Sequence, residues 1–417
     1  MAFLVEKGTF TKRTTVGTDV ISHSLGEAPK ILILWTTAQT ATGFDPNYIL
    51  SLGFSDGTRD RAVGVVSEDA QSMSDTTTRR FKNGIPGSCI VILTPNGALE
   101  AEADISTESS ITFTVNWTTN GGGADIIHYQ LFAGSDITDF EVGFFNANTV
   151  TGNQTISHVN SPIDGYDIYM FVSSIIPDTF VFRNNLGIGV GFATDAANEA
   201  ALHVNSEHNR GTSDTWRIQR EDRCIALLTG GSGAANGQAE FVSKATADFT
   251  INWTAAPSDD FFIIWMGIKG GQHHVNNFTE PASTGTQDIT DAGFLPKGYM
   301  LASRCKGATT TSDTQNKISF GGTDGTTEGV VSARDSDAQA TTEADTNEST
   351  ADVFRIIADS GDTIIDEANH SALLSNGFRI NWSNIGSAAK VFYWTFGDIA
   401  APPTRRRFPQ KPRSLRY

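Results

Sequence analysis

One tripeptide occurs three times along this chain, as Asn116-Trp117-Thr118, Asn252-Trp253-Thr254 and Asn381-Trp382-Ser383. The three tryptophans are 136 and 129 residues apart. Each tripeptide follows a short segment in which apolar and polar residues alternate, and each precedes an aromatic run that ends in glycine. Such alternation indicates a half-buried β-strand. The tripeptide therefore predicts a strand that recurs at nearly constant spacing, with an indole at the same place each time.

Further markers precede each tripeptide in the same order. The first set is Leu52-Gly53-Phe54-Ser55-Asp56, Val190-Gly191-Phe192-Ala193-Thr194-Asp195 and Phe320-Gly321-Gly322-Thr323-Asp324. Cys89 and Cys224 stand 28 and 29 residues before their tryptophans, where the third copy has Val353-Phe354-Arg355-Ile356-Ile357. Repeats this long match whole domains. The sequence thus predicts an internal triplication, with domains at 1–136, 137–272 and 273–398.

The secondary-structure pattern predicts an all-β protein. Runs of four to eight residues rich in Val, Ile, Phe and Thr alternate with clusters of Gly, Asp, Asn and Ser, and helical periodicity is nearly absent. The predicted fold is three tandem β-sandwich, jelly-roll-like domains. Each repeated tryptophan is expected to bury on the order of 200 Å² between two sheets. Residues 337–346 have no apolar face and are predicted to form an exposed loop.

Composition and charge exclude several classes of protein. The 417 residues carry a formal charge of −17 and only 18% are charged, which argues against nucleic acid as the partner of the main body. The first residues lack a basic segment followed by an apolar one, so we expect synthesis in a cytoplasm without a secretion signal. No apolar window is long enough for a membrane helix, so we expect no membrane partner. The three cysteines form no CxxC motif and are predicted to be buried thiols.

No catalytic constellation stands out, so we predict a protein that is not an enzyme, with no catalytic, cofactor-binding or metal-binding residues. The carboxylate pairs Asp259-Asp260, Glu221-Asp222 and Asp335/Asp337 and the histidine pairs His203/His208 and His273-His274 are weak signals in an acidic chain. Only Asp56, Asp195 and Asp324 are expected to recur at one place in all three domains. They follow glycine and are predicted to accept hydrogen bonds from nearby backbone donors. Calcium binding there is the alternative.

The C-terminal tail, residues 399–417, differs from the rest of the chain because it combines basic residues with four prolines and has no Asp or Glu. Prolines favour an extended conformation. We predict an arm that lies on an acidic neighbour, and the alternatives are a solvated end or a nucleic-acid contact. The predicted partner-contact residues are Arg405, Arg406, Arg407, Phe408, Lys411, Arg413, Arg416 and Tyr417.

Several segments resemble β-sandwich modules in the structural proteins of tailed bacteriophages, among tail, fibre and capsid-decoration proteins. The resemblance rests on residues 8–18, on the segment Ile21-Ser22-His23-Ser24-Leu25-Gly26 and the run after it to Trp35, on Gly53-Phe54-Ser55-Asp56-Gly57 and on Phe113-Thr114-Val115-Asn116-Trp117-Thr118. It covers the first domain well, the second moderately and the third weakly. It implies a virion location, contacts with other virion proteins and a homo-oligomer. Three domains could then fill three similar places on a particle or form a stalk.

Two other functions remain open at the level of sequence. The chain could bind a glycan on the host surface, with Trp216, Phe278 and Tyr299 as exposed loop aromatics. It could also be a polysaccharide-degrading enzyme.

Overall fold

The computed structural model describes residues 2–81, 87–228, 233–307 and 311–399, and the chain within them is all-β, as predicted. The strands form three series of eleven, which we call unit 1, unit 2 and unit 3. Unit 1 contains β1 (Leu4–Thr11), β2 (Gly17–Ser22), β3 (Ile31–Thr36), β4 (Gly43–Pro46), β5 (Tyr48–Ser55), β6 (Asp60–Ser67), β7 (Thr76–Arg80), β8 (Ile90–Leu93), β9 (Leu99–Glu108), β10 (Thr112–Asn120) and β11 (Ile126–Ala133). Unit 2 contains β12 (Asp139–Asn146), β13 (Gly152–Ser157), β14 (Ile168–Pro177), β15 (Phe182–Asn184), β16 (Leu186–Asp195), β17 (Asn198–Ser206), β18 (Thr215–Arg220), β19 (Ile225–Leu228), β20 (Ala235–Lys244), β21 (Asp248–Ala255) and β22 (Phe261–Lys269). Unit 3 contains β23 (Gln272–Thr279), β24 (Gly285–Ile289), β25 (Gly298–Ser303), β26 (Asp313–Thr314), β27 (Asn316–Thr323), β28 (Glu328–Asp335), β29 (Ala344–Ser349), β30 (Phe354–Ile357), β31 (Ile364–Leu374), β32 (Gly377–Asn384) and β33 (Lys390–Gly397).

Each unit builds the same pair of antiparallel sheets. In unit 1 the large sheet has the order β1-β11-β3-β5-β6-β7 and the small sheet the order β2-β10-β9-β8. Units 2 and 3 repeat both orders with their own strands, and every large sheet gains a seventh strand from another unit. The order of elements thus recurs three times, while the origin by triplication and the boundaries at 136 and 272 remain predictions. Among the described residues, no helix is long and apolar enough to cross a membrane.

A separate apolar core fills the space between the two sheets of each unit, and the repeated tryptophan lies in it. Trp117, Trp253 and Trp382 are buried, as predicted. Each indole N–H donates to the third residue of the neighbouring small-sheet strand. The acceptors are Asp19 (2.9 Å), Gln154 (2.7 Å) and Gln287 (2.9 Å). The indole thus fills the core while its one polar atom stays hydrogen-bonded.

Two of the sequence markers contact each other, which explains why both recur. A Cβ atom on Gly53 would lie 2.0 Å from the carbonyl oxygen of Cys89, and one on Gly191 would lie 1.9 Å from that of Cys224. In unit 3 the corresponding distance from Gly321 to the carbonyl oxygen of Val353 is 2.4 Å. The glycine therefore lets the backbone of the large sheet approach the start of the small sheet's edge strand.

A fourth, larger core lies where the three units meet. It is formed by the large-sheet faces that point away from the small sheets, and it contains side chains of all three units. Trp394 of unit 3, for example, lies 5.4 Å from Phe132 of unit 1 and 6.2 Å from Phe192 of unit 2, between ring centroids. The units therefore pack about a common centre and are not arranged as a stalk.

Residues 337–346 form no helix, but the prediction of an exposed loop is wrong for their second half. Strand β29 begins at Ala344, and Thr342, Ala344, Asp345 and Thr346 are buried. The hydroxyls of Thr342 and Thr346 bond to unit 1, and a sequence pattern that is read within one unit cannot reveal such burial.

Candidate functional site at the junctions between units

Each large sheet is completed by a short strand from another unit. Strand β15 of unit 2 pairs with β7 of unit 1, β26 of unit 3 pairs with β18 of unit 2, and β4 of unit 1 pairs with β29 of unit 3. The exchange is cyclic, so the three units form a closed ring in which the last unit pairs with the first. The added strand covers a sheet edge that would otherwise expose unpaired backbone groups.

A second set of contacts, which we call the hydroxyl clasp, repeats at all three junctions. Its residues are Ser74, Ser213 and Thr342, all buried. Each hydroxyl donates to a backbone carbonyl of the next unit. The acceptors are Glu207 (2.6 Å), Ser336 (2.6 Å) and Glu68 (2.8 Å). Each hydroxyl also accepts from a backbone N–H three residues further on. The donors are Arg210 (2.9 Å), Gln339 (2.9 Å) and Gln71 (2.8 Å).

The main chain of the clasp follows the same cyclic pattern. The N–H groups of Asn209, Ala338 and Ala70 donate to the carbonyls of Ser74, Ser213 and Thr342, at 2.6, 2.9 and 3.0 Å. All three donors have a positive φ, between 58° and 59°. An alanine in this region is strained and persists only where its surroundings fix it. The clasp supplies that constraint, since it binds the strained segment by side-chain and backbone bonds together.

One position at each junction carries a different residue in each unit. It is Arg80 in β7, Gln219 in β18 and Glu348 in β29, and each side chain bonds to the next unit. The guanidinium of Arg80 donates to the carbonyls of Phe180 (2.8 Å) and Asp178 (2.7 Å). It also lies 4.4 Å from the ring centroid of Phe262. Each junction therefore has its own side-chain contact at this position, which we call the key position.

The junction between units 3 and 1 contains a buried ionisable network. Glu348 accepts from His128 Nε2 (2.9 Å), and His128 Nδ1 lies 3.0 Å from Lys7 Nζ. When Lys7 is protonated it can only donate to Nδ1, and the Nε2–H of the neutral imidazole then donates to Glu348. Burial lowers the pKa of Lys7 to about 7, lowers the pKa of His128 well below its usual range and raises the pKa of Glu348 to about 8. Burial thus brings the lysine and the carboxylate close to neutrality at pH 7.

The start of unit 1 and the end of unit 3 meet at the end of the ring opposite the hydroxyl clasp. The N–H of Phe3 donates to Asp398 (2.8 Å), and the N–H of Ile399 donates to Asp136 (3.0 Å). The start of unit 1, the segment between units 1 and 2 and the end of unit 3 are therefore hydrogen-bonded together. We call this end of the ring the chain-end face.

The aspartates that follow the glycine markers accept local backbone hydrogen bonds, as predicted. Asp56 accepts from the N–H groups of Thr58 and Arg59, and the same two-bond turn recurs at Asp195 and Asp324. Two of them also reach another unit. The other carboxylate oxygen of Asp56 accepts from Val142 N (3.0 Å), and that of Asp324 accepts from Lys7 N (3.0 Å).

The expectation that no other carboxylate recurs in all three units is wrong. Asp60, Glu199 and Glu328 stand four residues after the turn aspartates. Each accepts from one backbone N–H that lies directly before a β-bulge of the small sheet. The donors are Ile105 (2.8 Å), Phe241 (2.7 Å) and His370 (2.6 Å). Burial raises the pKa of all three carboxyls to about 7. The spacing of four residues from the turn aspartate is present in all three units of the sequence. The residue is Asp in unit 1 and Glu in units 2 and 3, so a search for identical residues misses the repeat.

The residues predicted as exposed sugar-binding aromatics do not occupy loops. Tyr299 is fully buried in β25, where its ring lies 3.9 Å from that of Phe378. Trp216 in β18 and Phe278 in β23 are half-buried. That prediction is wrong because the aromatic residues belong to strands. The exposed aromatics of the described chain are Phe144, Phe180 and Phe182.

Phe180 and Phe182 are 58% and 57% exposed and border a surface cleft of about 430 Å³. The cleft is lined by Pro177, Phe180, Phe182, Arg183, Asn184 and Asp259. Arg80 of unit 1 holds this segment in place by hydrogen bonds to the carbonyls of Phe180 and Asp178. The cleft therefore presents two aromatic rings beside a carboxylate and an amide on a firmly held segment.

The remaining predicted residues have mixed outcomes. Cys89, Cys224 and Cys305 are buried free thiols, as predicted. His203 is buried, and its Nδ1 accepts from Leu228 N (3.3 Å), whereas His208 Nδ1 accepts from Thr76 N (3.1 Å). The partner-contact residues of the tail lie outside the described residues. They are Arg405, Arg406, Arg407, Phe408, Lys411, Arg413, Arg416 and Tyr417.

The chain matches no protein-family model and no curated protein. Within the described ranges, no group of three or more His, Cys, Asp or Glu side chains is placed to hold a metal ion.

Removing one hydroxyl of the clasp should loosen one junction. We expect Ser213→Ala to lower the free energy of unfolding by about 1–3 kcal/mol, because it leaves the Ser336 carbonyl and the Gln339 N–H of unit 3 without their partner. Amide hydrogen exchange should accelerate in residues 336–343 and stay unchanged at the other two clasps. Ser161→Ala, at an exposed serine of the same unit, is the control. If residues 336–343 exchange at the same rate in Ser213→Ala and in Ser161→Ala, the hydroxyl does not have this role.

The recurring buried carboxyls should make stability depend on pH. The raised pKa of Glu199 means that the folded chain keeps a proton which the unfolded chain has lost between about pH 4.5 and 7, so its stabilising contribution falls as pH rises through that window. We expect Glu199→Gln to raise the free energy of unfolding at pH 8 by about 1–2 kcal/mol more than at pH 4.5. Denaturant titrations at both pH values measure the difference. The exposed variant Glu27→Gln should give curves parallel to the wild type, and parallel curves for Glu199→Gln would refute the assignment.

Proposed function

We propose that the protein is a non-enzymatic structural component of a bacteriophage virion, in the tail, a fibre or the capsid decoration. One observation carries the proposal: a single chain builds a closed block of three units in which the start of the first unit and the end of the last lie on one face. Such a block can sit on a threefold position of a particle as a homotrimer would. The titratable groups described above support a non-enzymatic role, because they are occupied in holding turns, bulges and junctions together.

The tail indicates which face of this three-unit block would point to the particle. Ile399, the last residue before the tail's prolines and basic residues, is bonded to Asp136 at the chain-end face. The chain as a whole has a net charge of −17 even with the six basic residues of the tail included. An acidic surface on another virion protein, or on a second copy of this chain, is therefore the chemistry that suits the tail. The chain-end face would then point to the particle and the hydroxyl clasp away from it.

Deleting residues 400–417 tests this arrangement. We expect the truncated protein to keep the wild-type unfolding midpoint but to be lost from particles, measured as its amount per virion after complementation of a deletion mutant. A full-length variant with the six basic residues changed to glutamine separates charge from length, and we expect it to be lost as well. Normal incorporation of both proteins would reject the arm.

A second candidate function, recognition of a glycan on the host surface, is favoured by the cleft at Phe180 and Phe182. Sugar rings pack their C–H faces on aromatic rings, and Asp259 and Asn184 offer hydrogen-bond groups beside them. The firm attachment through Arg80 limits the conformational freedom that binding would remove.

An array of bacterial surface glycans probes this function. We expect the wild type to retain at least one glycan, and Phe180→Ala/Phe182→Ala to lose that signal at least ten-fold. Val159→Ala, at a residue that is 78% exposed elsewhere in unit 2, should bind as the wild type does. An array without any wild-type signal would exclude this second function and leave the structural role standing.

A further inference from the structure

The last residues of three equivalent strands meet where the units converge. They are Ser67 at the end of β6, Ser206 at the end of β17 and Asp335 at the end of β28, and each is at most 1% exposed. The hydroxyls of Ser67 and Ser206 lie beside the carboxyl of Asp335 and lower its pKa, while burial, the larger effect, raises that pKa to about 6. At the common centre of the ring, each unit therefore contributes one buried polar residue.

Two further side chains lie at the same centre. Tyr48 and Asn316 are the first residues of the equivalent strands β5 and β27, and both are fully buried. Asn316 Nδ2 donates to Ser206 Oγ (2.8 Å). The pKa of Tyr48 is raised well above its usual range by burial first and by the nearby charge of Asp335 second, so its hydroxyl stays neutral beside the carboxyl. Both residues thus add an oxygen atom to the group.

Four oxygen atoms of this group lack a hydrogen bond of acceptable geometry. They are Asp335 Oδ1, Ser67 Oγ, Tyr48 Oη and Asn316 Oδ1. Buried polar atoms in folded proteins are nearly always paired, and an unpaired one is strongly destabilising. Four such atoms, on four strands of units 1 and 3 that meet at the centre, therefore indicate that something occupies the space between them.

The charge of Asp335 restricts what that occupant can be. No cationic side chain of the described ranges forms an ion pair with this carboxylate, and the neighbouring Arg334 is paired with Glu343 and Asp345. An isolated carboxylate in a protein interior is strongly unfavourable. A water molecule would satisfy the hydrogen bonds but would leave the charge uncompensated.

We propose that Asp335, Asn316, Ser67 and Tyr48 bind one monovalent metal cation, Na⁺ or K⁺, at the centre of the ring. All four ligand atoms are oxygens, which hard cations prefer. A single positive charge neutralises the single carboxylate, whereas calcium sites in proteins generally supply more oxygen ligands and more charge. The ion joins units 1 and 3 directly, and it reaches unit 2 through the hydrogen bond between Asn316 and Ser206. This site is independent of the location of the protein on a particle.

Thermal unfolding at constant ionic strength tests the proposal. Mixtures of NaCl or KCl with choline chloride hold screening constant while only the metal concentration changes. We expect the preferred ion to raise the Tm of the full chain by about 2 °C at ten times its dissociation constant. Asp335→Asn should remove this dependence, and Glu27→Gln should keep it. An equal Tm in all three salts would overturn the proposal.

Crystals of the wild-type protein grown with Tl⁺ give a direct test that does not depend on any variant folding. Thallium replaces Na⁺ or K⁺ at such sites and scatters anomalously. We expect an anomalous peak between the carboxyl of Asp335 and the amide of Asn316, and its loss when excess K⁺ or Na⁺ is added. Density that fits only water, without an anomalous peak, would show that the centre is hydrated and would refute the metal site.

Discussion

The arrangement of the three units depends on the hydroxyl of one small residue in each unit, which donates to one backbone group of the next unit and accepts from another. Ser74, Ser213 and Thr342 make these bonds with nearly the same geometry at three junctions. Each hydroxyl acts together with a strand that covers the neighbouring sheet edge, so burial of apolar surface and pairing of backbone groups favour the same arrangement. A shift of one unit along another would break both, since neither a strand ladder nor a hydroxyl that bonds to two groups tolerates a change of register.

Joining three units in one chain allows the junctions to differ. In a homotrimer the residue at the key position would be the same three times, and three copies of Asp335 at the centre would place like charges together. Here the key is Arg80, Gln219 or Glu348, and the centre has Ser67, Ser206 and Asp335. A single carboxylate beside two hydroxyls and a different key at every junction are possible only because the symmetry is approximate. The differences also make each unit complementary to its own neighbours.

The residues that pack each unit internally could be recognised in the sequence as repeats. The residues that form the contacts between units could not. The tryptophans and the glycines at 53, 191 and 321 recur in all three units, and the cysteines in the first two, because each unit packs its own two sheets together. The exchanged strands share little in sequence: Phe44 in β4 and Phe182 in β15 stand at the same place, but Asp313-Thr314 in β26 has no such aromatic residue. The hydroxyl clasp corresponds to a weak sequence repeat. Units 1 and 2 share Ser-Asp-Thr, at residues 74–76 and 213–215, and unit 3 has Thr342-Glu343-Ala344 instead. An isolated hydroxyl among many others in the sequence carries no sign that it will be buried.

The three junctions also differ in their covalent support. Units 1 and 2, and units 2 and 3, follow each other along the chain, so closing those junctions orders only a short connection. The junction between units 3 and 1 closes a loop that spans nearly the whole chain, at a larger loss of entropy. That junction has the most extensive strand exchange, with four residue pairs, and the buried Lys7–His128–Glu348 network, while Asp398 holds the backbone of Phe3 at the other end. The strongest set of directional contacts thus lies at the one junction that the chain itself does not hold together.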